Sequence, residues 1–307
     1  MLEYMDFEQF KGLNYLEFSD KFIDDDSCKH YLAEYKWGKG FECTKCGHNQ
    51  YYQLKESPFL RECRTCRHVN SVTAGTLFHK IKFSLRKAFH LIYHMTCTTK
   101  SISSQQAAHM VGVNKNTAWL FGQKIRKAME SSEQYPLKGD VEVDEFFVGG
   151  KEEGKTGRGN EKKSMVAVAI EKSGKHGIER AYAVKIENGT SEELGKIFKK
   201  HICKTANILT DKWRGYRPLQ EVFNIRQEKS LPDENFKEMH RFIQGVKSWY
   251  RGIHHHISAE FLQAYLNEYC YRFNRSIHKE TRCDNLIQRM VKTKPMNYKL
   301  LSINYIT

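Results

Sequence analysis

A chain of 307 residues with 40% hydrophobic residues, 5 prolines and a formal net charge of +14 is too apolar for a disordered polymer and long enough for two or three domains. The excess of Lys and Arg points to a polyanionic partner, nucleic acid first, because cations that neutralise phosphates release condensed counterions. No apolar run approaches the ~18 residues of a bilayer span, and the acidic start Met1 to Glu8 has neither the basic nor the apolar region of a secretory signal, so no membrane partner and a cytoplasmic location are expected.

Residues 1–38 read as an N-terminal helical segment and residues 39–80 as a zinc ribbon. Cys43-Thr44-Lys45-Cys46 and Cys63-Arg64-Thr65-Cys66 are two Cys-x-x-Cys knuckles separated by sixteen residues, a spacing at which two hairpin turns supply four thiolates to one Zn²⁺. A redox pair is the rival reading, but that motif comes singly and beside a strand-helix-strand pattern absent here. Four sulfurs close the coordination shell, so the expected zinc is structural. His48 and His68 follow the knuckles as neighbours or substitute ligands. Cys28, Cys97, Cys203, Cys270 and Cys283 have no partner at ligand spacing and read as ordinary buried residues.

Residues 81–132 read as a helical DNA-binding unit. Leu85, Ala88, Phe89, Ile92 and Met95 recur at helical spacing. After a break at Thr96 to Ser101, a helix from Ser103 ends at the turn residue Gly112, and Asn114 caps a second helix running to about Met129. This helix-turn-helix pattern would offer Lys115, Asn116, Thr117, Gln123, Lys124 and Arg126 to a DNA groove.

After Pro136 the period changes to that of strands: Val141 to Val148, Ser164 to Ile170 and Ile178 to Ile186. A helix from about Ser191 to Cys203, a strand ending at Asp211, a short helix near Leu219 and a strand at Asn224 to Gln227 follow. That order is the order of an RNase H-like sheet, expected over 137–280, with 281–307 as a C-terminal tail. Asp144 interrupts a strand-forming run and Asp211 closes another, so two carboxylates are expected as neighbours able to hold Mg²⁺ or Mn²⁺. Ordinary strand-edge acids are the alternative. Glu142 shares the Asp144 face as a stand-by ligand, and Glu145 points away.

The basic, glycine-rich loop 149–163 contains Lys155 and Arg158, cations available to backbone phosphates, or is simply solvated. Further on, Met239 to Gly252 reads as a helix on which His240 and Lys247 share a face and which ends near Arg251. A long helix from Ser258 to Asn274 follows. His254 to His256 reads as a basic contact surface.

The ribbon, Val141-Glu142-Val143-Asp144-Glu145 followed by Val148-Gly149-Gly150-Lys151, Leu209-Thr210-Asp211-Lys212-Trp213 and Tyr271-Arg272-Phe273-Asn274-Arg275 together resemble the zinc-ribbon DDE transposases of prokaryotic insertion sequences, the ISXO-like group. The resemblance covers about Phe41 to Arg275. It implies a multi-domain chain, ribbon and helix-turn-helix followed by an RNase H-like mixed sheet with flanking helices, that cleaves and rejoins double-stranded DNA at terminal inverted repeats with Mg²⁺ or Mn²⁺. Asp144 and Asp211 would be the first two metal ligands, His240 would occupy a third position where Glu is usual, with Glu238 as rival, and Lys247 would contact DNA. Recombination of two ends implies a homodimer or higher oligomer on DNA. The alternative functions are a catalytically silent DNA-binding protein of transposase descent and a nuclease without a joining step.

Overall fold

In a computed structural model of the chain, the described residues are 14–55, 57–98, 100–149, 163–174, 177–231, 234–254, 257–278 and 281–297. The chain divides into two compact units, Met1–Met129 with Ile277–Thr307, and Glu130–Ser276.

In the first unit, α1 (Tyr15–Lys21) and α2 (Asp25–Trp37) each begin at a capping box, with Asn14 and Asp24 accepting the orphan N–H groups of the first turn. A three-stranded antiparallel sheet follows, β1 (Tyr51–Gln53), β2 (Leu60–Cys63) and β3 (Val69–Ser71). Next comes α3 (Leu85–Cys97), whose Leu85, Ala88, Phe89, Ile92 and Met95 are buried as their spacing predicts. Between α4 (Ser104–Val111) and α5 (Lys115–Ala128), Gly112 adopts the left-handed conformation, φ 61°, that closes a helix C-terminus.

Residues 281–307, expected as a tail, contain α9 (Arg282–Lys292), numbered last in chain order. It is built into the first unit's core. Its Asp284 accepts from the hydroxyls of Tyr31 and, at 2.7 Å, Tyr35, and the Met290 carbonyl accepts from Leu77 N–H at 3.0 Å.

The second unit is a five-stranded mixed sheet with helices on both faces. Its strands are β4 (Asp140–Val148), β5 (Ser164–Lys172), β6 (Ile178–Ile186), β7 (Asn207–Thr210) and β8 (Ile225–Gln227), in the order β6-β5-β4-β7-β8. The β4–β5 and β5–β6 pairs are antiparallel and the β4–β7 and β7–β8 pairs parallel, as an RNase H-like core requires. Strand alternation divides the core. Val141 and Val143 face α6 (Ser191–His201) and bury with Leu194, Ile197 and Phe198. Phe146, Val148, Val166 and Val168 face α7 (Lys237–Ile253) and α8 (Leu262–Phe273) and bury with Phe242, Ile243 and Leu266. The segment near Leu219 is a 3₁₀ helix, Arg214–Glu221, containing Pro218, which removes a backbone donor. A 3₁₀ turn, Ala259–Phe261, likewise precedes α8. Among the described residues no helix is long and apolar enough to cross a membrane.

Candidate active site

Parallel pairing of β4 with β7 sets Val143 beside Thr210. The next residue along each chain is Asp144 and Asp211, so the two acids follow one another across neighbouring strands, where the spacing is ~5 Å. Alternation turns Asp144 toward the α7 face, together with Glu142 and, on β7, Leu209, and Asp211 follows the last residue of β7. Each carboxylate is held by local backbone. Asp144 Oδ1 accepts from Glu145 N–H at 2.7 Å, and Asp211 Oδ1 from Trp213 N–H at 3.0 Å. Beneath them Tyr216, fully buried, donates to Glu145 Oε2 at 2.6 Å. Burial, then the Glu145 carboxylate, then the charges of Asp144 and Asp211, keep that phenol protonated far above its usual range.

Helix α7 covers this face. It starts after Phe236, a buried non-glycine residue at φ 56°, a conformation costing roughly 1 kcal/mol. Successive helical residues turn ~100°, so His240 and Lys247 lie within ~20° of one flank and Glu238 projects from the opposite one. The Lys247 ammonium lies 5.4 Å from the Phe146 ring centroid. Burial and the charge of Arg251 lower its pKa, while the charge of Asp144 pulls it back up.

Glu142 and Glu238, the two stand-by acids, are engaged elsewhere. Lys172 on β5 reaches Glu142 Oε1 at 3.0 Å and Glu238 Oε2 at 3.8 Å, and both carboxylates are buried. Desolvation works against the Lys172 charge, but the hydrogen bond to Glu142 and the charges of Glu142, Glu238 and Asp140 outweigh it and raise its pKa. A cleft of about 740 Å³ opens beside this group, lined among others by Asp140, Glu142, Leu209 and Arg226. Sequence reasoning missed both Lys172 and Tyr216. Neither lies in a motif, and only the strand register and the packing bring them to the acids.

The four cysteines do converge. Cys43 Sγ lies 3.6 Å from Cys66 Sγ and Cys46 Sγ 3.6 Å from Cys63 Sγ, and all four sulfurs fall within 4.8 Å of one another. A tetrahedron with Zn–S bonds of ~2.3 Å has edges of ~3.8 Å, so the quartet fits a structural Zn²⁺. Each knuckle closes with the same pair of backbone bonds, Cys43 N–H to His48 O with Gly47 N–H to Cys43 O, and Cys63 N–H to His68 O with Arg67 N–H to Cys63 O. Buried Asn70 braces the site, donating to Cys43 Sγ and accepting from Thr44. Among the described residues this is the one group of three or more His, Cys, Asp or Glu side chains with all ligand atoms within 4.8 Å. Asp144, Asp211 and His240 do not meet that separation.

The residues expected to face DNA divide. Lys115 and Asn116 are exposed and Thr117 half-exposed at the start of α5. Gln123, Lys124 and Arg126, expected at the groove, are buried instead, at 0%, 7% and 2% exposure. Lys124 Nζ donates to the His79 carbonyl at 3.3 Å, and burial lowers its pKa. The physical reason is that the C-terminal half of α5 is enclosed on several sides, packing against α3 and α9, so these polar residues serve the interior. Arg251 is exposed on the last turn of α7. Lys155, Arg158, His255 and His256 lie outside the described residues. His254, expected in a basic surface, is buried, with its ring 4.6 Å from Tyr265 and 5.2 Å from Trp249; the aromatic packing of α7 against α8 claims it.

A family profile described as the ISXO2-like transposase domain matches residues 136–274, and one described as a transposase zinc-ribbon domain matches residues 23–69. Among solved structures, a pre-cleavage Mos1 transpososome is 14% identical, with 61% of this chain and 74% of that chain covered and a TM-score of 0.26. The Mos1 mariner paired-end complex with Mn has the same identity, coverage and TM-score, and the Mos1 strand transfer complex has 14% identity, 59% and 74% coverage and a TM-score of 0.22. No curated protein matches the chain.

Proposed function

Because the chain belongs to the zinc-ribbon DDE-type transposases of the IS1595/ISXO2-like family, we propose that it cleaves DNA at the terminal inverted repeats of an insertion sequence and transfers the freed strand to target DNA. The observation that supports this reading is the β4–β7 register, whose last pair, Val143 and Thr210, lies one residue before Asp144 and Asp211. Two hard carboxylates brought together on a rigid sheet suit Mg²⁺ or Mn²⁺, and His240 is the third ligand, on the α7 flank that also carries Lys247. Held by Asp144, Asp211 and His240, a divalent cation would supply Lewis-acid activation of the attacking oxygen and stabilisation of charge on the phosphodiester.

The chain's own groups do the rest. Asp144 and Asp211 would hold the metal. Lys247, positively charged beside Asp144, contacts a backbone phosphate near the scissile bond, and Arg251 one turn on contacts the next. Lys115, Asn116 and Thr117 at the head of α5 meet DNA of the element ends. Lys155 and Arg158 belong to the same proposal as phosphate contacts. The ribbon uses Zn²⁺ for structure alone. Two ends must be brought together, so the acting form is a homodimer or higher oligomer on DNA, in the cytoplasm.

The test is cleavage and joining of end-bearing duplexes by the parent and by the variants Asp144→Asn and Asp211→Asn. Both variants are expected to bind the ends with parental affinity and to lose cleavage. If the parent is as inert as both variants with Mn²⁺, the silent DNA-binding reading replaces this one. Failure to join a pre-cut end, with cleavage intact, reduces the protein to a nuclease.

A further inference from the structure

In the first unit, beside the helix-turn-helix, a cavity of about 240 Å³ lies between α1, α3 and the end of α4. Its wall on α3 is a cationic stripe. Arg86, His90 and His94 recur every four residues and so share one helix face, with Lys87 beside them; Tyr15 and Ser19 of α1 form the opposite side. Among the described residues, none of the side chains lining it is acidic. The nearby Asp25 carboxylate is occupied by Arg86 backbone N–H at 2.9 Å.

The cavity is tied to the recognition turn. Lys87 Nζ donates to the Gly112 carbonyl at 3.2 Å, the residue that ends α4 three positions before Lys115. An ammonium has three donors, so this bond leaves others directed elsewhere. Arg86 is exposed. The aromatic ring of Tyr15 lies 5.7 Å from His90 and 5.1 Å from His94, which fixes both imidazoles against the α1 side. A fork of guanidinium donors, an ammonium and two ring N–H donors around a small cavity is a donor set for one tetrahedral oxyanion.

We propose that this cavity is a DNA phosphate site, holding one backbone phosphodiester of the duplex whose groove receives the start of α5. Arg86 and Lys87 supply charge, and His90 and His94 supply neutral donors. The contact is independent of base sequence and sets the angle at which Lys115 and Asn116 enter the groove. It rests on the proposed docking of α5.

The experiment measures binding of the zinc-loaded full chain to a random-sequence duplex by fluorescence anisotropy over a series of salt concentrations. Arg86→Gln is expected to weaken binding about tenfold and to reduce the slope of log K against log[salt] by about 0.9, one phosphate contact. Arg86→Lys should keep the slope. His90→Gln should lower affinity with the slope unchanged. An Arg86→Gln protein with parental affinity and slope overturns the proposal, whatever Lys115→Gln does. Parental affinity in Lys115→Gln, with Arg86→Gln impaired, overturns the α5 docking reading and with it the role in setting the angle of α5, and supports only the phosphate contact at Arg86.

Discussion

Glu238 and His240 stand on opposite flanks of α7. Glu238 turns to Lys172 on β5, 3.8 Å away, whereas His240 shares its flank with Lys247, which feels the charge of Asp144. The two candidates for a third metal ligand are therefore separated by helical geometry. His240→Ala is expected to lower the cleavage rate at least a hundredfold while end binding persists, and Glu238→Gln to leave the rate within a few-fold. His240→Glu adds charge and a harder donor, so the ratio of rates in Mg²⁺ and Mn²⁺ should move toward Mg²⁺. Equal loss in Glu238→Gln and His240→Ala would sink the assignment.

Lys172 neutralises two buried carboxylates. Removing it takes the ammonium away from the buried Glu142 carboxylate, a cost of roughly 3 kcal/mol. Lys172→Met should lower the urea midpoint with little change in slope. Adding Glu142→Gln should recover part of that loss, and a double variant less stable than the single one would contradict the account.

Lys124 is an interior residue despite its place on α5. Lys124→Met should leave DNA affinity and its salt slope at parental values, in contrast to Lys115→Gln, because a buried ammonium bonded to the His79 carbonyl neutralises no phosphate. A drop in the slope for Lys124→Met would show that α5 presents a different face.

Zinc should be required for the ribbon and not for the sheet of the catalytic unit. Chelation, or Cys63→Ser at a fully buried ligand, should release one equivalent of Zn²⁺ and remove hydrogen-exchange protection from β1 to β3. Protection in β4 to β6 is expected to persist. Retained protection in β1 to β3 without metal would mean the ribbon's packing suffices alone.

Acid should weaken the second unit through His201. Burial, only partly opposed by the charge of Glu133, lowers its pKa from 6.5 to about 4, and its ring stacks on Tyr182 at 4.3 Å. A depressed native pKa means the unfolded chain takes up the proton first. The His201 contribution is therefore full above pH 6.5 and is lost as pH falls toward 4, by roughly 3 kcal/mol at most. His201→Phe keeps the stack and removes the titration. The difference between parental and variant stability should vary across that window and be flat above it, as measured by denaturant unfolding at each pH.

Much of this protein is local, and what is local was legible in its residues. Sixteen residues between two Cys-x-x-Cys knuckles foretell a four-sulfur site because metal geometry tolerates few spacings. The strands around Asp144 and Asp211 follow from side-chain period, and the Asn114 cap and the Gly112 turn from backbone chemistry. Tertiary structure alone decided which polar residues face inward. Nothing in the local pattern separates Lys115 from Lys124 on one helix, and only enclosure by α3 and α9 buries the second. Lys172 gains its partners Glu142 and Glu238 through the order β6-β5-β4-β7-β8 and the rotation of α7 above it. The reason is that a carboxylate's role depends on the charges within a few ångströms, and those come from segments far apart in the chain.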